Sequence, residues 1–422
     1  MISVFTPSHD PKYLNDCLAS LLAQTYTDWE WVVLLNHEAT WEEIDDPRVE
    51  IDDPRVRVLR NDEVEGVGAA KQAVVTACRG DILVELDHDD ILASTALERV
   101  TEAFEAFPDA GLVYSQCAQV TEALERDNTM YDLAYGWEYK EATVDGRVVQ
   151  YPITMAPTPH NVCYIWYAPN HLRAFSRVAY DKSGGYDPAR TVLDDQDLMC
   201  RLYQIGDFHL IDECLYLQRA HGANTQADGQ TNAKIQVETV ALYDGYIEVC
   251  ALAWARRVGL LALDLGSYQN KRPGYLGVDK RRGEGVDVVT ELPKRLPFGD
   301  SSIGVIRAMD FLEHVEDKIA LINELYRVLA PNGLLLSMTP STDGRGAYQD
   351  PTHIAYYNEN SFWYYTDANL QRYAPEITAR FQVSRLITTF PSEWHQQHTI
   401  PYVTANMVAL KDGPRQGGIL SW

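Results

Sequence analysis

Two hydrophobic periods run along this chain. Short apolar runs at Ile2–Thr6, Trp31–Leu35, Val56–Leu59 and Asp81–Leu86 read as buried strands. Between them, Lys12–Gln24 places Leu14, Cys17, Leu18, Leu21 and Leu22 at helical spacing, and Gly66–Arg79 is a small-residue helix stopped by Gly80. Residues 232–256 carry Val240, Tyr243, Ile247, Cys250 and Trp254 on one stripe, which predicts a helix. A second series follows: strands at Leu260–Leu265, Tyr275–Val278 and Ile303–Ala308, a helix at Asp317–Leu329, and a Pro331-Asn332-Gly333 turn into strand Leu334–Met338. Alternation of this kind predicts α/β architecture with parallel sheets. The expected organisation is a first domain over 1–231, a linker helix over 232–258 and a second domain over 259–422.

A seven-residue tandem duplication, Ile44–Val49 recurring as Ile51–Val56, is too short for a repeat architecture and reads as a lengthened surface loop. The 422 residues and 46% hydrophobic content exclude a disordered or disulfide-scaffold chain. The longest apolar run, Val249–Ala255, falls far short of a membrane span. With no basic leader, an odd number of cysteines and no CxxC, the expected setting is reducing and cytoplasmic.

The net charge of −25 is lopsided. Residues 1–231 hold 17 Lys and Arg against 40 Asp and Glu, leaving the remainder nearly balanced with 19 against 21. An acidic first half argues against nonspecific binding to nucleic acid or anionic membrane. If it handles phosphates, metal ions are needed to mask its own carboxylates.

The chemistry concentrates in two carboxylate groups. Asp87, Asp89 and Asp90 follow the fourth strand, at the sheet edge where α/β folds bind ligands. Three crowded carboxylates suit a hard divalent cation such as Mg²⁺ or Mn²⁺, or else a solvated helix-capping turn. Asp194, Asp195 and Asp197 open a short helical pattern with Leu198, Arg201 and Leu202, where the helix dipole alone would also favour acids.

Six motifs in order give these groups a context. Ser3–Ser8 resembles the opening strand and turn of family 2 glycosyltransferases with the GT-A fold. Leu18–Tyr26 followed by Trp29-Glu30 resembles that family's SLLxQTYxxWE segment, and Gly68–Ala73 its GxxxARN helix. Leu86–Asp90 is similar to the LDxDD metal motif. Gly184–Asp187, Asp195–Leu198 and Arg201-Leu202 are similar to GGYD…EDxDLxxRL, and Arg219-Ala220-His221 to a late RxH element.

This resemblance, over about residues 1–225, implies an inverting transfer from a nucleotide sugar. Thr6, Pro7, Asn36, Lys71 and Asp87 would contact the donor. Asp87, Asp89, Asp90 and His221 would hold Mn²⁺ or Mg²⁺. Asp195 would be the general base, with Gly185, Tyr186, Asp194 and Asp197 on the acceptor side or supporting it. The chain departs from the pattern at Asn36-His37-Glu38, where Asp-Gly is usual; an amide still pairs with a pyrimidine edge, which favours a UDP-linked donor. Lys71 stands for the usual Arg, and Asp194 for the usual Glu.

The second half resembles a class I methyltransferase over about residues 258–365, through Leu263–Gly266, Gly274–Asp279, Leu296–Phe298, Phe311–Val315 and Glu324–Leu334. The resemblance implies a second Rossmann-like fold, with Asp264, Gly266 and Asp279 as candidate S-adenosylmethionine contacts. Tyr268 stands in the glycine loop, where a ring competes with the cofactor for space. Lys271, Arg272, Lys280, Arg281 and Arg282 make this edge basic, as a solvated face or an acceptor contact. Asp350–His353 and Phe362–Tyr365 are candidates for pocket lining or for core.

The leading reading is a metal-dependent glycosyltransferase carrying a methyltransferase-like domain that does not turn over. One alternative is a bifunctional enzyme. Another is transfer to a hydroxylated base in DNA, and a third makes methylation the main activity. The acceptor is left open among a glycan, a lipid-linked sugar, a small molecule and modified nucleic acid.

Overall fold

The computed structural model describes residues 1–36, 53–129, 137–164, 169–222 and 229–411. The chain divides into two units, Met1–Ile247 and Glu248–Trp422. The boundary falls inside a helix, Gly229–Arg257.

The first unit is built on an eight-stranded sheet. In chain order its strands are β1 (Ile2–Ser8), β2 (Trp29–Leu35), β3 (Val56–Arg60), β4 (Ile82–Glu85), β5 (Ile91–Leu92), β6 (Leu112–Val120), β9 (Arg173–Ser176) and β10 (Phe208–Arg219), with a separate hairpin of β7 (Tyr139–Val144) and β8 (Arg147–Pro152). The order across the sheet is β3-β2-β1-β4-β9-β6-β10-β5. Strands β1 to β4 pair in parallel, as their apolar runs predict, and β9 is inserted antiparallel between β4 and β6. Every residue of β2 is buried, and Trp31, Leu14 and Leu21 are among the largest fully buried side chains. Each such side chain contributes roughly 1.5–3 kcal/mol through burial.

Helix α1 (Leu14–Leu22) buries Leu14, Cys17, Leu18 and Leu21 of the stripe read from the sequence, whereas Leu22, at its last position, is exposed. Helix α2 (Val67–Ala77) packs on β1 and β2. Its second residue is Gly68 for a steric reason. A Cβ there would lie 2.2 Å from the Asp187 carbonyl oxygen and 2.8 Å from that of Arg190, so only glycine lets the 187–190 loop approach the helix. The remaining helices of this unit are α3 (Ala96–Ala106), α4 (Pro159–Tyr164), α5 (Arg177–Ser183), α6 (Asp194–Tyr203) and the start of α7 (Gly229–Arg257).

The first copy of the tandem duplication, with His37-Glu38, lies outside the described residues. The second copy enters them at Asp53, whose carboxylate pairs with Arg55 at 2.6 Å before the chain runs into β3.

The second unit has a seven-stranded sheet: β11 (Leu261–Leu265), β12 (Leu276–Asp279), β13 (Val288–Val289), β14 (Ile303–Met309), β15 (Leu329–Pro340), β16 (Phe381–Thr389) and β17 (Tyr402–Ala409). The order is β13-β12-β11-β14-β15-β17-β16, parallel except where β17 inserts antiparallel. Helix α8 (Lys318–Val328) buries Leu321, Ile322, Leu325 and Val328 and is capped by the Asp317 carboxylate, which accepts from Ala320 N–H at 2.9 Å. The expected Pro331-Asn332-Gly333 turn is a bulge inside β15: Ile303 pairs with Leu329 and Val305 already with Leu334, and Asn332 absorbs the excess at φ 64°. Phe362 and Tyr365 belong to the core, whereas Trp363 and Tyr364 are exposed. All seven cysteines are buried free thiols, and among the described residues no helix is long and apolar enough to cross a membrane.

Candidate functional site

In the first sheet β1 pairs with β2 on one side and β4 on the other, which makes it the switch point of an α/β sheet, where a crevice opens at the strand ends. A cavity of about 570 Å³ occupies this place. Pro7, Asn36, Lys71, Asp87, Asp89, Asp90, Asp194, Asp195 and His221 all line it. Residues separated by more than 200 positions are therefore gathered by the topology alone. Thr6, Gly185, Tyr186 and Asp197 do not line it. Thr6 is fully buried, its hydroxyl donating to the Leu86 carbonyl at 2.7 Å and accepting from Trp31 Nε1 at 2.9 Å. Asp197 accepts from Arg201 at 2.5 and 3.0 Å and from the Tyr246 hydroxyl at 2.8 Å, which makes it a brace for α6. Arg201 also donates to the carbonyls of Ser183 and Gly185, so the 184–187 turn is held by α6.

The Asp87–Asp90 carboxylates are not equivalent. Asp90 is buried, and its carboxylate accepts the Arg219 N–H at 2.7 Å. Arg219 Nε in turn donates to the Asp89 carbonyl at 2.8 Å. This clamp brings His221 Nε2 to 2.9 Å from Asp89 Oδ2. Asp87 has the most exposed carboxylate of the two that pair with histidine, with His171 Nε2 at 3.6 Å. Burial, opposed by Lys71 and reinforced by Glu85 and Asp89, pushes the Asp87 carboxyl up to about 7. Burial and the neighbouring Asp89 and Asp87 carry Asp90 well above the usual carboxylate range. His171 gives no compensating charge, because burial and Arg173 push its imidazole down to about 3. Of the expected metal ligands, Asp89 and His221 meet at 2.9 Å, whereas Asp87, Asp89 and His221 do not bring one ligand atom each within 4.8 Å of one another.

Across the cavity lies a chain of buried ion pairs centred on Glu85, the last residue of β4. Glu85 Oε1 is 2.5 Å from Lys71 Nζ and Oε2 is 3.3 Å from Arg173 Nη1. Each cation extends to a second acid: Lys71 to Asp194 at 2.8 Å, and Arg173 to Asp195 at 2.7 Å. All but Asp195 are nearly inaccessible, and a quarter of the Asp195 side chain is exposed. Burial raises each carboxyl. For Glu85 the two cations win and hold it well below its ordinary value. Asp195 is also lowered, by Arg173 and then Lys71, whereas Asp194 stays raised because Asp195 adds to burial and outweighs Lys71. The first turn of α6 therefore presents two carboxyls side by side whose surroundings shift them in opposite directions.

Glu85, Arg173 and His171 are the residues that sequence reasoning missed. One signal was present: a lone glutamate inside the otherwise apolar run ending at Leu86 must be paired when buried.

In the second unit, the three candidate cofactor contacts sit at the adjacent ends of β11 and β12. Asp264 is buried and accepts from Arg272 N–H at 2.8 Å and Arg307 Nη1 at 3.1 Å, so its carboxylate is taken up within the protein. Gly266 adopts φ 73°, the left-handed turn that glycine permits. Asp279 ends β12 and accepts the Arg281 N–H at 2.8 Å. Tyr268 has φ 25°, its ring lies 4.7 Å from the Arg281 guanidinium, and its carbonyl accepts the Gly285 N–H at 2.8 Å.

Residues 3–163 match the model of glycosyl transferase family 2, and residues 249–337 match a methyltransferase domain model. Among similar proteins, the chondroitin synthase of Escherichia coli is 25% identical over 228 residues, covering 53% of this chain and 30% of that protein. The O-antigen biosynthesis protein RfbC of Myxococcus xanthus is 35% identical over 119 residues, covering 27% and 9%. A protein of Mycolicibacterium smegmatis named a probable S-adenosylmethionine-dependent methyltransferase is 32% identical over 103 residues, covering 24% and 37%. The chain thus spans well under half the length of these relatives. Similar solved structures include S. aureus TarS 1-349 in complex with UDP-GlcNAc, at 12% identity and TM-score 0.43, covering 61% of this chain and 72% of that one. The chain joins a family 2 glycosyl transferase domain, at 3–163, to a methyltransferase domain, at 249–337.

Proposed function

We propose that the first unit is an inverting, divalent-metal-dependent glycosyltransferase that moves a sugar from a UDP-linked donor to an acceptor hydroxyl. The observation that carries this reading is one cavity lined both by the Asp89–His221 pair and by an Arg173-bound Asp195. Asp87, Asp89 and His221 would hold Mn²⁺ or Mg²⁺. Such an ion supplies charge neutralisation for the departing nucleotide diphosphate. Asn36, buried at the end of β2, offers a donor and an acceptor to a pyrimidine edge. Asp195, kept ionised by Arg173, takes the proton of the acceptor hydroxyl while its oxygen bonds to the anomeric carbon and the bond to the diphosphate breaks. Lys71 and Arg173 hold the carboxylates in place. The names of the relatives, a chondroitin synthase and an O-antigen biosynthesis protein, support a saccharide acceptor. Calorimetry of UDP with Mn²⁺ and with EDTA tests the reading. Binding is expected to need the ion, and equal affinity in both would overturn its role.

The second unit, on this reading, is a scaffold that does not turn over S-adenosylmethionine, because the Tyr268 ring stands in the glycine loop with Arg281 against it. A bifunctional enzyme is the second reading, favoured by Asp279 at the end of β12 and by a sheet order suited to a cofactor at the β11 end. Titration with S-adenosylmethionine separates the two.

A further inference from the structure

The second unit contains a histidine–carboxylate cluster that neither reading uses. Strand β14 feeds a single 3₁₀ turn, Leu312–His314, which places Glu313 and His314 just past its C-terminal end. The chain returns at Asp350–Ala355, where the N–H groups of Ile354 and Ala355 both donate to the Glu313 carbonyl at 2.9 Å. This backbone clamp sets His353 beside Glu313. One ligand atom from each of Glu313, His314 and His353 lies within 4.8 Å of the others.

The polar atoms around the cluster are already committed in the way a metal site requires. His353 Nδ1 faces the Ala347 carbonyl at 3.2 Å, and His314 Nδ1 faces the Thr352 carbonyl at 3.1 Å. A ring nitrogen facing a carbonyl carries the proton, so Nε2 holds the lone pair in both rings. Glu313 Oε2 accepts the Thr339 hydroxyl at 2.6 Å, which fixes the carboxylate. Its Oε1 is buried without a hydrogen-bond partner, in a residue only 2% exposed. His353 Nε2 is 4.0 Å from Glu313 Oε1 and 4.0 Å from Asp350 Oδ2. That is too long for a hydrogen bond, and just under twice a zinc–ligand bond of about 2.1 Å.

We propose that Glu313, His314 and His353 form a transition-metal site of the Zn²⁺ class, with Asp350 at its solvent side. Two imidazoles and one carboxylate select Zn²⁺ or Co²⁺ over the Mg²⁺ and Mn²⁺ suited to an oxygen-rich site. Three protein ligands leave a coordination position open, the arrangement of a catalytic rather than a structural zinc site. An acceptor hydroxyl or a water bound there would be acidified.

The test strips the full-length protein with EDTA and titrates it with Co²⁺, reading the visible d–d absorption, then displaces the ion with Zn²⁺. With excess Mg²⁺ present to occupy the first unit, one Co²⁺ per chain is expected to give the band. His353→Gln and Glu313→Gln should each weaken binding at least tenfold, while Asp89→Asn in the first unit leaves the band unchanged. Thr339→Val, which removes only the hydroxyl that orients Glu313, should weaken binding about 10–100-fold and keeps the test open if Glu313→Gln fails to fold. The proposal is overturned if wild-type protein shows no band, if the band survives in the folded His353→Gln or Thr339→Val protein at wild-type affinity, or if Asp89→Asn abolishes it.

Discussion

Replacing Lys71 with methionine keeps most of the side chain's length and removes its charge. In the wild type Nζ lies 2.5 Å from Glu85 and 2.8 Å from Asp194, and the three side chains are 8%, 1% and 7% exposed. After the change Glu85 still has Arg173, but Asp194 loses the cation that holds it. Breaking one partner out of a buried ion pair destabilises by about 3–5 kcal/mol. The first unit spans Met1–Ile247, and for a domain of that size 1 kcal/mol moves Tm by about 2–4 °C, so a fall of roughly 6–20 °C is expected at pH 7. The pH dependence has a defined sign. The Asp194 carboxyl already sits above its ordinary value in the folded protein, and losing Lys71 raises it further. The variant therefore binds a proton on folding, and gains stability as pH falls through that raised value. Glu85 works oppositely in the wild type: it is held low, so its stabilising share is present above the ordinary carboxylate value and is lost in acid. The deficit of Lys71→Met must shrink between pH 7 and pH 4 through Asp194, the Glu85 share being lost only below the ordinary carboxylate value. Scanning calorimetry at both values, following the transition of the first unit, measures this. A fall under 2 °C at pH 7, or a deficit that grows in acid, would refute a buried, charge-paired network.

The other expectations concern chemistry. Asp195→Asn should lower the turnover of sugar transfer by about 10²–10⁴ with UDP affinity nearly unchanged, and wild-type turnover would move the base to another residue. Arg173→Met should shift the acid limb of the kcat/KM profile to higher pH, because the guanidinium lowers the Asp195 carboxyl and the ionised base is lost below its own value; an unmoved limb would show that this limb reports another group. Tyr268→Gly should bind S-adenosylmethionine more tightly than wild type in a thermal-shift titration, and tight binding by the wild type itself would favour the bifunctional reading.

The elements were legible wherever burial was continuous. Trp31–Leu35 and the α1 stripe could be read because strand and helix periods act on neighbouring residues. The strand ends at Asn36 and Asp87 pointed to the cavity for the same reason. Which carboxylate does what was not legible. Asp89 and Asp90 adjoin in sequence, yet one meets His221 and the other is taken up by the Arg219 backbone, a distinction made 132 and 129 residues away. Asp195 and Asp197 likewise look alike in the chain, but helix rotation turns Asp197 toward Arg201 and Tyr246. Glu85 reads as a polar interruption in a strand until β9 brings Arg173 beside it. The Asn332 bulge was missed in detail because a Pro-Asn-Gly triplet signals reversal, and only strand pairing shows that the chain keeps going.

The contact between Lys71 and Asp194 bears on descent as well as on stability. Lysine and aspartate here occupy positions where the family pattern has arginine and glutamate, and the sequence presents these as two unrelated departures more than 120 residues apart. The fold makes them the two ends of one bond. A lineage that exchanged one end alone would have passed through a protein whose buried charges no longer met at bonding distance, so the two exchanges are expected to be inherited as a unit. Relatives should then carry Arg with Glu or Lys with Asp, and mixed pairs should be scarce.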